Sequence, residues 1–195
     1  MKSRIALSLA ALPTASPAFA HLDPAGHGSF AAGVSHPVFG PDHILAMVAV
    51  GLWAVVQAHR TGETRALWLL PTAFVGMMTL GFLFAMRGVE LPLVEPMILA
   101  SVMVLGGMAA LALRMPLAGA TAITGLFALF HGHAHGAEIG AASALPYLAG
   151  FALSTALLHG AGVAGGLTLA QRSATLPRVL GACVVLAGTA LGLAG

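Results

Sequence analysis

The chain has 195 residues, 58% of them hydrophobic and 7% charged, with a mean hydropathy of +0.95. Soluble domains carry about a quarter charged residues, so an ordinary water-soluble enzyme is nearly excluded, and an apolar content rich in Ala, Leu, Val and Gly suits close-packed membrane helices. No basic run exists, which argues against a nucleic-acid partner, and the length fits one domain.

The chain opens with Lys2 and Arg4 before the apolar run Ile5–Leu12, then Pro13 and a small-residue stretch ending Ala18-Phe19-Ala20. A basic n-region, a short h-region and an A-x-A site read as a cleaved secretory signal over residues 1–20. The run is too short to span a bilayer; the alternative is an uncleaved anchor. Cleavage leaves six basic residues against six acidic ones, a neutral chain. Lys2 is the sole lysine, so the mature chain has no Walker A lysine for ATP and no lysine for a Schiff base. Cys183 is the sole cysteine, which excludes an intrachain disulfide and a cysteine zinc site.

Residues 21–35 read as a polar, Gly-containing lead-in. Its first residue, His21, would carry the mature amino group. With His27 nearby, it is a candidate capture site for metal. The N-terminal copper/nickel motif needs His at the third mature position, where Asp23 stands.

A spanning helix needs roughly 20 apolar residues. Six stretches qualify as candidates: 42–58, 66–86, 93–113, 115–130, 142–170 and 176–194. The expected architecture is therefore all-α, a polytopic membrane protein with six transmembrane helices, and residues 21–195 form one domain. The fourth stretch is short unless it runs into the histidines that follow it. The fifth is long enough to tilt, to break at Gly160–Gly166, or to begin later. Short connections predict antiparallel neighbours. A cleaved signal puts His21 outside the bacterial cytoplasmic membrane, and six crossings return the C-terminus to the same periplasmic side. The inner connections then hold Arg60, Arg65, Arg114, Arg172 and Arg178, and the outer ones only Arg87. That asymmetry fits the positive-inside rule. Gly106-Gly107, Gly162-x-x-x-Gly166 and Gly188-x-x-x-Gly192 predict close helix seams. The nine Met read as adaptable packing residues.

Nine histidines in so apolar a chain carry the chemistry. Polar groups at membrane depth are costly and line a pathway or face a partner. The first cluster is His36-Pro37-Val38-Phe39-Gly40-Pro41-Asp42-His43. Gly40 and Pro41 predict a helix start, with Asp42 and His43 in its first turn. Pro37 and Pro41 predict that the preceding segment turns, folding His36 back towards His43. Two imidazoles and a carboxylate suit Ni²⁺, Co²⁺ or Zn²⁺; the alternative is an Asp42 cap with both histidines in the wet interface. The second cluster is His131-Gly132-His133-Ala134-His135-Gly136-Ala137-Glu138. On a helix, His131, His135 and Glu138 share one face. His133 points elsewhere unless Gly132 and Gly136 loosen the helix. The spacing is not H-E-x-x-H, so the zincin reading loses support. The alternative is a solvated His-rich loop. His159 lies deep in the fifth stretch, either as a satisfied core residue or beside a pathway. His59 and Glu95 read as interfacial, Glu95 with a secondary reading as a ligand.

The run from His36 through Asp42-His43-Ile-Leu-Ala-Met to Trp53 resembles the first-helix signature of the HupE/UreJ family, and Phe130-His131-Gly-His133-Ala-His135-Gly-Ala-Glu138 resembles its second. The likeness extends over essentially the whole chain. It implies a permease-like role in nickel supply to [NiFe] hydrogenase or urease. It also implies that His36, Asp42, His43, His131, His135 and Glu138 recognise nickel, with His133 inside the second motif.

The expected function is thus a secondary permease for Ni²⁺, or Co²⁺, with His159 continuing the path inward. The expected partners are the ion and the lipid bilayer, with no ATP, no nucleic acid, no catalytic residue and no permanently bound cofactor. Two other readings are an intramembrane metal-dependent enzyme, with Glu138 or Asp42 as its base, and a membrane metal sensor or assembly partner. Ligand type does not separate Ni²⁺ from Co²⁺ or Zn²⁺, and oligomeric state is not readable.

Overall fold

The computed structural model of the protein describes residues 29–139 and 144–194. The expected signal peptide, His21 and His27 lie outside the described residues. Among those residues all regular structure is helical: α1 (Ser29–Phe39), α2 (Pro41–Thr61), α3 (Ala66–Met86), α4 (Val94–Leu111), α5 (Leu117–Glu138), α6 (Ala144–Arg172) and α7 (Leu176–Ala194). By length and composition, α2, α3, α4, α6 and α7 are able to cross a membrane. With 22 residues α5 is also long enough, but three histidines and Glu138 occupy its last turns and shorten its apolar run.

α1 corrects the expected polar lead-in. Phe30, Ala31, Ala32 and Val34 supply apolar surface, and Gly33 and Gly150 bring the α1 and α6 backbones into contact. Pro37 does not turn the chain as expected. It stands inside the last turn of α1, and the break falls at Gly40, whose extended backbone (φ −88°, ψ 110°) leads into Pro41. Eleven residues make a helix of about 16 Å, half a bilayer's apolar thickness.

α2 forms the centre of the bundle. Its residues from Ala49 to Gln57 are all buried, and it packs against α3, α4, α6 and α7. Gly62 closes it in the left-handed conformation (φ 78°), donating its N–H to the Ala58 carbonyl. At that end the Gln57 side-chain amide donates to the Met115 carbonyl, and Arg178 Nε donates to the Ala110 carbonyl at 3.1 Å. Arg60 in the last turn of α2, Arg172 at the end of α6 and the connections bearing Arg65 and Arg114 lie at that end too. The opposite end carries Arg87 with His36, His43 and His135. α6 runs unbroken through Gly160–Gly166, and α5 continues past residue 130 to Glu138.

Glycine sets the helix spacing. Gly106 meets α7 and Gly162 meets α2, but Gly107 faces open space, so only half of that expected seam exists. The tightest seam joins α3 and α5. Gly81 lies on the Leu129 carbonyl, Gly132 on the Met78 carbonyl and Gly136 on Phe82. Gly132 and Gly136 therefore do not loosen the helix; they let it press against α3. A methyl group at Gly132 would overlap backbone, which cannot move like a side chain. Gly132→Ala is expected to cost about 1–3 kcal/mol. Gly107→Ala, in open space mid-helix, is expected to gain about 0.5–1 kcal/mol. Thermal unfolding of both variants in detergent micelles checks the pair; equal midpoints would contradict it.

Candidate metal centre

Three helix ends build the site. His36 lies in the last turn of α1, His43 in the first turn of α2 and His135 in the last turn of α5. One nitrogen from each ring lies within 4.8 Å of the others. Gly40 and Pro41 make this meeting local for α1 and α2, because one extended residue separates the two helices. The His36 and His135 ring centroids are 4.4 Å apart, those of His43 and His135 4.6 Å, and those of His36 and His43 5.7 Å.

Hydrogen bonds orient the rings. His43 Nδ1 donates to Asp42 Oδ1 at 2.9 Å, so its Nε2 presents a lone pair. That Nε2 lies 2.5 Å from His135 Nε2. His135 Nδ1 faces Glu138 Oε2 at 3.8 Å, beyond hydrogen-bond length. Two imidazole nitrogens at that separation need a proton between them. A carboxylate behind a histidine ring is the usual support of a metal ligand, because it fixes the tautomer and raises basicity. The Phe151 ring packs edge-on against that of His135, with centroids 4.7 Å apart. The cluster opens into a pocket of about 240 Å³ whose rim carries Asp42, Glu95 and Glu138. Glu95, read as interfacial with a secondary reading as a ligand, is exposed and lines this pocket.

The remaining histidines separate by depth and direction. His131 lies one turn inward of His135, fully buried, with its ring 5.3 Å from that of His43. Ser101 donates its hydroxyl to the Ile98 carbonyl at 2.6 Å, and lies 2.8 Å from His131 Nε2. A serine has one proton to give, so His131 Nε2 is the donor and Nδ1 keeps its lone pair, without a partner among the described residues. His133 points to the α3–α4 connection, donating Nε2–H to the Val89 carbonyl at 2.7 Å. His159, fully buried, donates Nδ1–H to the Met47 carbonyl at 2.9 Å and leaves Nε2 without a partner among the described residues. His59 is exposed at the arginine end, beside Arg60 and Arg178. The structure therefore brings together His36, Asp42, His43, His135 and Glu138, stacks His131 below them, and leaves His133 and His159 outside the cluster.

Sequence reasoning passed over Ser101, Trp53 and Gln57. Trp53 and Gln57 are fully buried on α2, and Trp53 Nε1 and Gln57 Oε1 have no partner among the described residues. The signal that singled out the histidines applied equally to Ser101: a lone polar residue inside an apolar helix.

The HupE / UreJ protein family model matches residues 9–191. The chain is 41% identical over 191 residues to Protein HupE of Rhizobium leguminosarum bv. viciae, covering 97% of each chain. No solved structure matches it. A family match along nearly the whole sequence, joined to an equally extensive relative, places this chain in the HupE/UreJ family.

Proposed function

We propose that this protein is a secondary permease carrying Ni²⁺ inward across the bacterial cytoplasmic membrane, in support of hydrogenase or urease maturation. One observation carries the reading: His36, His43 and His135 converge from three helices on one point, beside a pocket with a carboxylate rim. Nitrogen donors with flanking carboxylates suit a borderline divalent cation. Nickel itself enters through the family, and Co²⁺ fits the same donors.

The proposed arrangement has α2 to α7 as six spans, α5 being the sixth beside the five most apolar helices. It places the histidine end outside, because the arginine-rich end belongs inside by the positive-inside rule. Both termini of the cleaved chain then lie on the periplasmic side. Ions gather at the carboxylate rim, shed water to the histidines and pass inward. A single tight site would trap the ion, so movement needs exchange between several partial sites.

Acid tests this ligation directly. Only neutral imidazole has a lone pair to give, so protons compete with the ion for the histidines. Ni²⁺ entry into proteoliposomes is expected to fall as the outer solution is taken from about pH 7.5 to about pH 5.5. Entry unchanged over that range would contradict histidine ligation.

A further inference from the structure

At the arginine end, a cavity of about 110 Å³ lies between the ends of four helices. His59 and Arg60 reach it from the last turn of α2, and Arg178 from the first turn of α7. Ala112, which closes α4 in the left-handed conformation (φ 51°), and Ala170, near the end of α6, also line it. The buried part of the lining is apolar, with Val56, Ala112 and Pro177, and the exposed part carries both guanidinium groups.

No carboxylate lines the cavity, and among the described residues neither Arg60 nor Arg178 makes an ion pair. Arg65, at the same end, shows the ordinary alternative, paired with Glu63 at 2.8 Å. The positive-inside rule accounts for arginines at this end. It does not account for two of them, from separate helices, on the wall of one cavity, where like charges repel unless an anion joins them. Arg178 is also held in place. Its Nε donates to the Ala110 carbonyl at 3.1 Å, which leaves the terminal nitrogens of the fork to donate elsewhere. A side chain fixed beforehand loses less freedom on binding. The positive end of the α7 dipole, at Thr175 and Pro177, adds to the same potential.

Size and polarity narrow the ligand. Pockets that enclose a whole small molecule run to about 300–1,000 Å³, so this cavity takes one group rather than a nucleotide. Guanidinium forks match the oxygens of a phosphate. The apolar lining beside them suits the glycerol and first methylenes of a lipid, and basic pockets between cytoplasmic helix ends hold anionic headgroups in this way. We infer that Arg60 and Arg178 form a binding site for one phosphate group, that of an anionic phospholipid or free phosphate. Such a site stands or falls independently of nickel transport.

The test uses the full chain in micelles of an uncharged detergent. Native mass spectrometry counts the phosphatidylglycerol and phosphatidylcholine that each chain retains, and calorimetry follows inorganic phosphate titrated at constant ionic strength. The wild type is expected to retain one phosphatidylglycerol, at least about tenfold more tightly than phosphatidylcholine. Arg60→Gln and Arg178→Gln are each expected to weaken it roughly tenfold, the loss of a charge-assisted bond. Arg172→Gln, at the same end but outside the cavity, is expected to stay within about twofold of wild type. Inorganic phosphate that binds with the same dependence on Arg60 and Arg178, while the lipid does not, supports the site with free phosphate as its source. Equal losses in all three variants would overturn it, since the attraction would then belong to the whole arginine end. Binding of neither phosphatidylglycerol nor inorganic phosphate would overturn it too. Should Arg178→Gln fail to fold for want of its bond to α4, Arg60→Gln decides alone, because it breaks no bond among the described residues; wild-type affinity for lipid and phosphate in that variant overturns the site.

Discussion

Replacing His43 by Ala is expected to abolish measurable Ni²⁺ entry and to lower the affinity of the outer cluster by at least about 100-fold. Losing a residue that merely supports a ligand costs about 10–100-fold, and His43 is a ligand candidate at the centre of the site. Its Nδ1 holds Asp42, its Nε2 faces His135, and its ring lies within 6 Å of those of His36 and His131. The variant should fold, since the α2 N-terminus depends on Gly40 and Pro41 rather than on this ring. Binding of Ni²⁺ by calorimetry, with size-exclusion behaviour as the folding control, checks it. Affinity within about threefold of wild type would remove His43 from the ligand set.

The second large effect concerns the carboxylate behind that ring. Asp42→Asn keeps the size and an acceptor oxygen but removes the charge. Ni²⁺ affinity is expected to fall roughly tenfold, and Asp42→Ala to fall about 100-fold, because it also frees the tautomer of His43. The ordering of the two variants carries the claim. Equal losses would mean that Asp42 acts by charge alone, as part of the rim with Glu95 and Glu138. A larger loss in the Asn variant would contradict the orienting role.

Much of this architecture was legible in sequence because a bilayer permits little else. Backbone polar groups in lipid must be satisfied within a helix, so long apolar runs translate into helices with few alternatives. The short α1 escaped that logic. Its 11 residues are below spanning length, and Pro37 suggested a turn. What stabilises it is tertiary, the contact of Gly33 and Gly150 across α1 and α6. Helical periodicity put His131 and His135 on one face, but periodicity within one helix says nothing about partners on another. That His135 rather than His131 meets His36 and His43 depends on how far α5 rises beside α2. That height is set by the Gly81, Gly132 and Gly136 contacts with α3. The same limit hid Ser101, whose role exists only through a ring on another helix. Glycines within the second histidine motif were legible as helix looseners and turned out to be packing residues, since sequence shows a missing side chain but not what fills its place.

Entry of radioactive Ni²⁺ into proteoliposomes containing only this protein tests the central claim most directly, with His36→Ala reconstituted to the same density as the comparison. The account predicts saturable entry in the wild type without ATP, and entry at the level of empty liposomes in His36→Ala. Wild-type vesicles, correctly oriented and intact, that admit no more Ni²⁺ than empty liposomes would contradict it.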